Sequence, residues 1–413
     1  MTKHIIYITR EYPPSFRAGG IATYVQETAN ILVKNGWKVT VICASDNTQE
    51  KSIVNENGVT VIRLSGGDFF LAKVEKNIFW LKKLRFFYRF FTYRYKIRQI
   101  IQKLENVSLI EVPEYGAEGI FLLNLKIPLI VRLHGPMFLD RKTLSMKKIA
   151  FSNLHHYWLG YLELIVVKKA ENITSCSDAM KRWFVEEVEI EQSKITTIYN
   201  SITLPESISL PRAKSKNHIV FFAGSILEEK GIGDLVKAIQ MLREKGYEIN
   251  LILAGKMAKY AHNLQQQLLS KKVSWCKFLG HLSERSELVC YYQSADVCCF
   301  PSWQENLPYV CLEAMSVGAI VIGTTKSGFE EIINEGVSGF LCPPQNATML
   351  AEIVEKALNL SPIKRKIMAK NAIENIKNKF SKKAVQENIN YYHLISNSLQ
   401  RFQNGKSTSV YWK

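Results

Sequence analysis

The sequence predicts an α/β protein of two Rossmann-like parallel-sheet domains facing across a cleft. Three observations carry that expectation. Short β-branched runs alternate with longer amphipathic stretches; the alternation halts in a polar, Pro-bearing stretch after Asn200; and it then starts again. In the first half the expected strands are 4–9, 38–44, 59–64, 109–112, 129–133, 172–176 and 195–199. The halt, 201–217, holds Pro205 and Pro211 and reads as an interdomain linker. The second half offers strands 218–223, 249–254, 295–300, 319–323 and 339–342, with a helix over 232–245. From 347 to 402 the pattern is helical and lacks strands. The expected division is 1–205, 206–380 and a helical tail 381–413. Ligands of open α/β sheets bind at the carboxyl ends of the strands, so chemistry is expected there.

Composition narrows the class. The chain has 413 residues, 47% hydrophobic and 22% charged, which excludes disordered and low-complexity architectures. No apolar run approaches the roughly 18 residues that cross a bilayer. The start, Met1-Thr2-Lys3-His4 and a brief apolar run, lacks a signal peptide's long apolar stretch, so a cytoplasmic protein is expected. The eight cysteines are scattered and never form CxxC; they are expected to be buried, reduced thiols, and no metal site is expected. The net charge of +17 implies an anionic partner.

Much of that charge sits in one place. Residues 73–103 hold ten Lys or Arg and one acid, Glu75. At helical period Trp80, Leu84, Phe87, Tyr88, Phe91 and Tyr95 share a face, Lys82, Arg85, Arg89, Lys96 and Lys103 share another, and Phe79, Phe86, Phe90 and Tyr93 form a third strip. One apolar face would pack on a sheet; two flanking a basic strip imply a further covered surface. A cationic helix lined with Trp and Phe is the pattern of an interfacial membrane element. Trp80, Lys82, Lys83, Arg85, Arg89, Arg94 and Lys96 are the expected membrane-facing residues. A solvated basic helix is the plainer alternative. Nucleic acid is not expected, because no helix-turn-helix, zinc-finger or aromatic RNP pattern is present.

The segment richest in chemistry runs from Phe300-Pro-Ser-Trp-Gln-Glu305-Asn-Leu-Pro to Glu313-Ala-Met-Ser-Val-Gly318. A buried strand ends at Pro301, a loop follows, and an apolar helix begins near Tyr309. A helix start there suits a diphosphate. Glu305 in the loop can accept hydrogen bonds from a polyol, and Glu313 on the helix can grip a ribose diol.

Glu305 to Glu313 resembles the EX7E motif of the family 4 (GT4) retaining glycosyltransferases, which have the two-domain GT-B fold. Further pieces occur in family order. These are Pro13-Pro14 to Gly19-Gly20 with Asn35-Gly36-Trp37-Lys38-Val39, Arg132-Leu133-His134-Gly135, Tyr199-Asn200-Ser201, the loop from Gly224 to Glu229-Lys230-Gly231, and the run Gly328 to Pro344. The resemblance implies that Glu305 contacts the donor sugar and Glu313 the ribose. It implies that backbone amides of Asn306 and Leu307 approach sugar and diphosphate, that Lys230 neutralises the leaving diphosphate, and that Gly19 and Gly20 admit it closely. His134 would stand near the transferred sugar. Many members carry Arg where this chain has Ser225, so another positive group must compensate at that donor-binding position. The tail helix, about 382–401, would cross back to the N-domain as in similar proteins.

The activity so implied is transfer of a hexosyl or N-acetylhexosaminyl group, with retention, by front-face displacement. The donor is a nucleotide-diphosphate sugar, UDP first and GDP second. The acceptor is a glycan or lipid-linked glycan of bacterial cell-surface polysaccharide, lipopolysaccharide included, at the inner face of the cytoplasmic membrane. No Asp-x-Asp occurs, so no metal or other cofactor is expected. The alternatives are an inactive GT-B module that binds sugar nucleotide or membrane, and a GT-B epimerase or phosphorylase. A dehydrogenase is disfavoured because no GxGxxG follows the first strand.

Overall fold

The computed structural model describes residues 2–15, 19–46, 51–65, 79–136, 154–205, 217–282 and 284–403, apart from the side chains of 79–86, 154–157 and 398–403. The chain forms two compact units. One comprises Met1–Ser201 with Ala384–Lys413, the other Ile202–Lys383.

The first unit is built on β1 (His4–Ile8), β2 (Lys38–Ala44), β3 (Ser52–Glu56), β4 (Val59–Leu64), β5 (Leu109–Pro113), β6 (Leu129–Leu133), β7 (Asn172–Ser175) and β8 (Ile195–Thr197). They form one sheet in the order β3-β4-β2-β1-β5-β6-β7-β8. All neighbours are parallel except β3 and β4. The central strands β1, β5 and β6 are buried along their whole length, as parallel strands covered on both faces require. The helices are α1 (Gly20–Lys34), α2 (Phe79–Ile101), α3 (Leu154–Lys169) and α4 (Asp178–Val188).

The second unit repeats the plan. Its strands are β9 (His218–Ala223), β10 (Ile249–Ala254), β11 (Cys276–Gly280), β12 (Val297–Cys299), β13 (Val321–Thr324) and β14 (Phe340–Cys342), an all-parallel sheet ordered β11-β10-β9-β12-β13-β14. Around it run α5 (Ile232–Glu244), α6 (Lys259–Ser270), α7 (Arg285–Ser294), α8 (Tyr309–Ser316), α9 (Ala347–Leu358) and α10 (Pro362–Asn375). Ser361 and Asn346 cap α10 and α9 by accepting the N–H of Lys364 and Met349. A π-helical stretch, Ile376–Lys383, leads into the last helix, α11 (Ala384–Gln403).

Helix α11 belongs to the first unit, and polar bonds hold it there. The buried Glu111 carboxylate accepts from Tyr24 Oη at 2.8 Å and from Tyr392 Oη at 2.7 Å. Lys3 donates to Ser396 and Asn397.

Strands β3 and β11 were not expected from the sequence. Both lie at a sheet edge and neither holds a buried residue, so no apolar run marks them, whereas the opposite edges, β8 and β14, keep buried residues and were expected. Ile53 on β3 is 63% exposed. The tail 381–413, expected as a helix packing on the N-domain, is helical over its described part, which holds the end of the π-helical stretch and α11, and α11 belongs to the first unit.

Helix α2 is one continuous helix, and one expectation about it is overturned. Arg94 does not face outward: it is buried at 1% exposure. It falls on the stripe Phe90, Arg94, Ile97 and Ile101, spaced four, three and four residues, which is the face that packs on the core. Its charge is matched there by Glu118 at 3.0 Å and by the carbonyls of Phe90, Gly116 and Ala117. The opposite side exposes Tyr88, Phe91, Tyr95 and Lys96, with Arg89 half-buried. The side chains of Trp80, Lys82, Lys83 and Arg85 lie outside the described residues.

Candidate active site

In the second unit, two expected residues 75 positions apart meet. Lys230 Nζ donates to Glu305 Oε1 at 2.6 Å. Lys230 ends the short turn that opens α5, and Glu305 lies in the loop between β12 and α8. Glycine makes the meeting possible. Gly231 has φ +68, and a Cβ there would stand 2.1 Å from the carbonyl oxygen of Pro301, so only glycine lets the two loops touch. The contact is sealed by Trp303 N–H donating to Glu229 O at 2.8 Å. Burial draws the Lys230 ammonium down, but Glu305's charge and hydrogen bond outweigh it and hold the lysine above its ordinary range.

The Glu305 loop is held from its other side too. Gly328 N–H donates to Glu305 O at 2.7 Å, and a Cβ on Gly328 would sit 1.9 Å from Asn306 O. Asn306 is half-buried and the Leu307 side chain is turned inward, so any ligand contact of Leu307 is through its backbone. Glu313 lies within α8, partly buried; Tyr292 Oη donates to it at 3.3 Å and Arg285 Nε stands 3.9 Å away. Ser225 follows Gly224 at the end of β9, half-buried, its carbonyl accepting from Leu227 N–H. Helices α5 and α8 start at Gly231 and Pro308 without a side-chain cap.

In the first unit, Gly19 is the N-cap of α1 and Gly20 its first residue, again without a side-chain cap. Among the described residues, a Cβ on Gly20 would meet nothing within 4 Å, and one on Gly19 only Glu11 Oε2 at 3.8 Å, so packing among these residues does not demand glycine here. His134 follows β6, with its ring edge-to-face on Tyr24 at 5.1 Å between centroids. Burial, with Arg132's charge adding, pushes its imidazole well below the ordinary histidine range, so it is neutral at pH 7. Arg132 is itself buried, stacked over Tyr24 at 4.0 Å and bonded to Ile198 O and Asn200 Oδ1.

Sequence reasoning missed Glu114. Its buried carboxylate accepts the His134 N–H at 2.8 Å and the Gly135 N–H. The signal was present: a Glu directly after a buried strand, between Pro113 and Gly116, at the carboxyl edge of a parallel sheet. Tyr292, the partner of Glu313, carried no such signal, being the second of two adjacent tyrosines in α7.

Residues 18–205 match the family model described as Glycosyltransferase Family 4, and residues 206–375 the one described as Glycosyl transferases group 1. An uncharacterized glycosyltransferase of Haemophilus influenzae is 23% identical over 83% of this chain and 87% of its own. The capsular polysaccharide biosynthesis glycosyltransferase CapM of Staphylococcus aureus is 24% identical over 56% of this chain and 64% of its own, so the match spans just under two thirds of that protein. Among solved structures, sucrose-phosphate synthase from Thermosynechococcus elongatus superposes with a TM-score of 0.76 at 20% identity, covering 96% of this chain and all of that one. Anabaena HepE, in complex with UDP and glucose, superposes with a TM-score of 0.67 at 18% identity, covering 94% and 99%. With the two family models lying end to end over its two parallel-sheet units, the chain belongs to the family 4 glycosyltransferases and has their GT-B fold.

Proposed function

We propose that this glycosyltransferase retains anomeric configuration and works without a metal. Its donor is a UDP-sugar, with GDP the second choice. Its acceptor is a glycan or lipid-linked glycan of bacterial cell-surface polysaccharide, met at the inner face of the cytoplasmic membrane.

The observation that carries the donor half is the Lys230–Glu305 pair, a cation and a hydroxyl-binding carboxylate preassembled at 2.6 Å beside the uncapped start of α5. In the proposed reaction the sugar C1–O bond to the diphosphate breaks as a bond from the acceptor oxygen forms on the same face. The acceptor's proton passes to the departing diphosphate oxygen. Lys230 exchanges Glu305 for the diphosphate, freeing Glu305 to accept from sugar hydroxyls; preorganised positive charge at the leaving group supplies most of the stabilisation. Glu313 grips the ribose diol. Lys230 with the start of α5 stands in for the arginine that Ser225 replaces. His134, neutral, serves as a hydrogen-bond partner of the sugar, and Gly19 and Gly20 leave room for the diphosphate. UDP is favoured because HepE holds it; a surface glycan is favoured because CapM is named for one. The membrane reading is supported by the exposed row Tyr88, Phe91 and Tyr95 beside Lys96.

Thermal shift in EDTA, with UDP, GDP, ADP and their sugar conjugates, tests the donor reading on wild type, Glu313→Ala and Lys230→Ala. At a hundred times its dissociation constant UDP adds about 2.7 kcal/mol of stability to wild type, and much less to either variant. Absence of a shift with every nucleotide overturns the reading and leaves an inactive module.

A further inference from the structure

We propose that Glu114 is a positioning residue: it fixes the His134-Gly135 turn and thereby sets where the His134 imidazole stands relative to the reacting sugar. The inference rests on the reading of His134 given above.

Strand β5 ends at Pro113, and the ladder to β6 continues one step further, Glu114 N–H donating to Arg132 O at 3.1 Å. The Glu114 side chain then reaches past the end of β6. Its two oxygens accept from His134 N–H at 2.8 and 2.9 Å, and Oε1 also accepts from Gly135 N–H. Gly135 has φ +151, a conformation that favours glycine, and this lets two successive N–H groups converge on one carboxylate. Glu114 is 0% exposed, and among the described residues its hydrogen-bond partners are main-chain N–H groups. A buried carboxylate bound in this way tethers main chain with acceptor oxygens alone. An amide in its place would offer one oxygen and aim an NH2 group at the second donor.

Glu114 is itself held rigidly. The segment after it carries two positive φ angles, Gly116 at +81 and Ala117 at +52. Arg94 donates to the carbonyls of both and pairs with Glu118, while the buried Glu163 carboxylate accepts from Gly116 N–H at 2.6 Å. On the far side of the turn, the His134 ring rests on Tyr24. Main chain and ring are thus held from opposite sides.

Two readouts test this in the full-length protein. The first needs no turnover: NMR of ring-labelled histidines, with His134 assigned through its loss in His134→Ala. The inference expects the His134 ring signal to move and broaden in Glu114→Gln and, where that variant does not fold, in Glu114→Asp. A ring signal superimposable on wild type overturns it. The second is a double-mutant cycle on UDP release from UDP-glucose. Glu114→Gln should lower kcat by up to about 100-fold with the donor KM unchanged, the scale of a displacement of about 1 Å. In the His134→Ala background the same change should have almost no further effect. Equal losses in both backgrounds overturn the inference. If His134→Ala itself leaves turnover intact, the reading of His134 fails, and the ring signal still decides whether Glu114 fixes the turn.

Discussion

Glu114 in the first unit and Glu305 in the second can be compared: each lies in the segment that follows a buried strand, and each is bound to a residue of a family motif. Their environments differ. Glu114 is sealed and satisfied by main-chain N–H groups, whereas Glu305 is 19% exposed and satisfied by a lysine that is 26% exposed. A carboxylate bound to backbone cannot change partners without moving the chain. A carboxylate bound to a flexible ammonium can release it to a stronger anion. The first arrangement builds geometry; the second is suited to exchange with a charged ligand.

The largest expected effect separates the two regions by stability. Arg94→Met leaves Glu118 buried without its cation and should lower unfolding free energy by about 3–5 kcal/mol, since removing one partner of a buried ion pair strands the other. Lys230→Met breaks a half-buried pair that water still reaches, and should lower it by clearly less than Arg94→Met does. Urea titration of both variants checks this; equal losses would erase the contrast between a structural and an exchangeable ion pair.

The next effect is a pH dependence. Burial pushes the Glu114 carboxyl up to about 7, against the opposing pull of the N–H groups around it. A carboxyl whose folded pKa is raised binds more protons folded than unfolded, so its contribution is fully present below about 4.5 and falls as pH rises through about 7. The span corresponds to about 3 kcal/mol. His134, depressed, acts in the opposite sense, its contribution rising with pH through about 6.5. The measurement that isolates Glu114 is therefore wild-type stability minus that of Glu114→Gln, followed from pH 4 to 8. That difference should fall with pH, and a flat difference would mean that Glu114 carries no such charge.

The smallest stability effect belongs to the other side of the helix that carries Arg94. Tyr88→Ser with Tyr95→Ser should change unfolding free energy by about 0.5 kcal/mol or less per site, because both side chains are more than half exposed. Their expected effect is on the surface itself: co-sedimentation with vesicles containing an anionic phospholipid should weaken, and weaken further with Lys96→Glu. Unchanged sedimentation would sink the membrane reading of α2.

Much of this was legible in advance because it is written in local pattern. Parallel strands buried on both faces are continuous apolar runs, so β1, β2, β5 and β6 stood out, while β3, mostly exposed, and β11, mostly half-buried, did not. Glu305 and Lys230 were legible from motif order, and the structure brings them together. Arg94 was misread because net charge was counted before helical phase. Its spacing from Phe90 and Ile97 already placed it on the core stripe.

By itself the sequence determined the two-sheet α/β class and the family, and it named the residues on which the proposed donor site rests, since periodicity and motif order are properties of the chain. Only the tertiary structure decided that Arg94 turns inward, that the buried Glu111 is what anchors the returning α11 to the first unit, and that Glu114 holds the His134 turn. Each of these depends on a partner far along the chain or on an adjacent strand. A buried charge or N–H group finds its counterpart through packing, which no local pattern encodes.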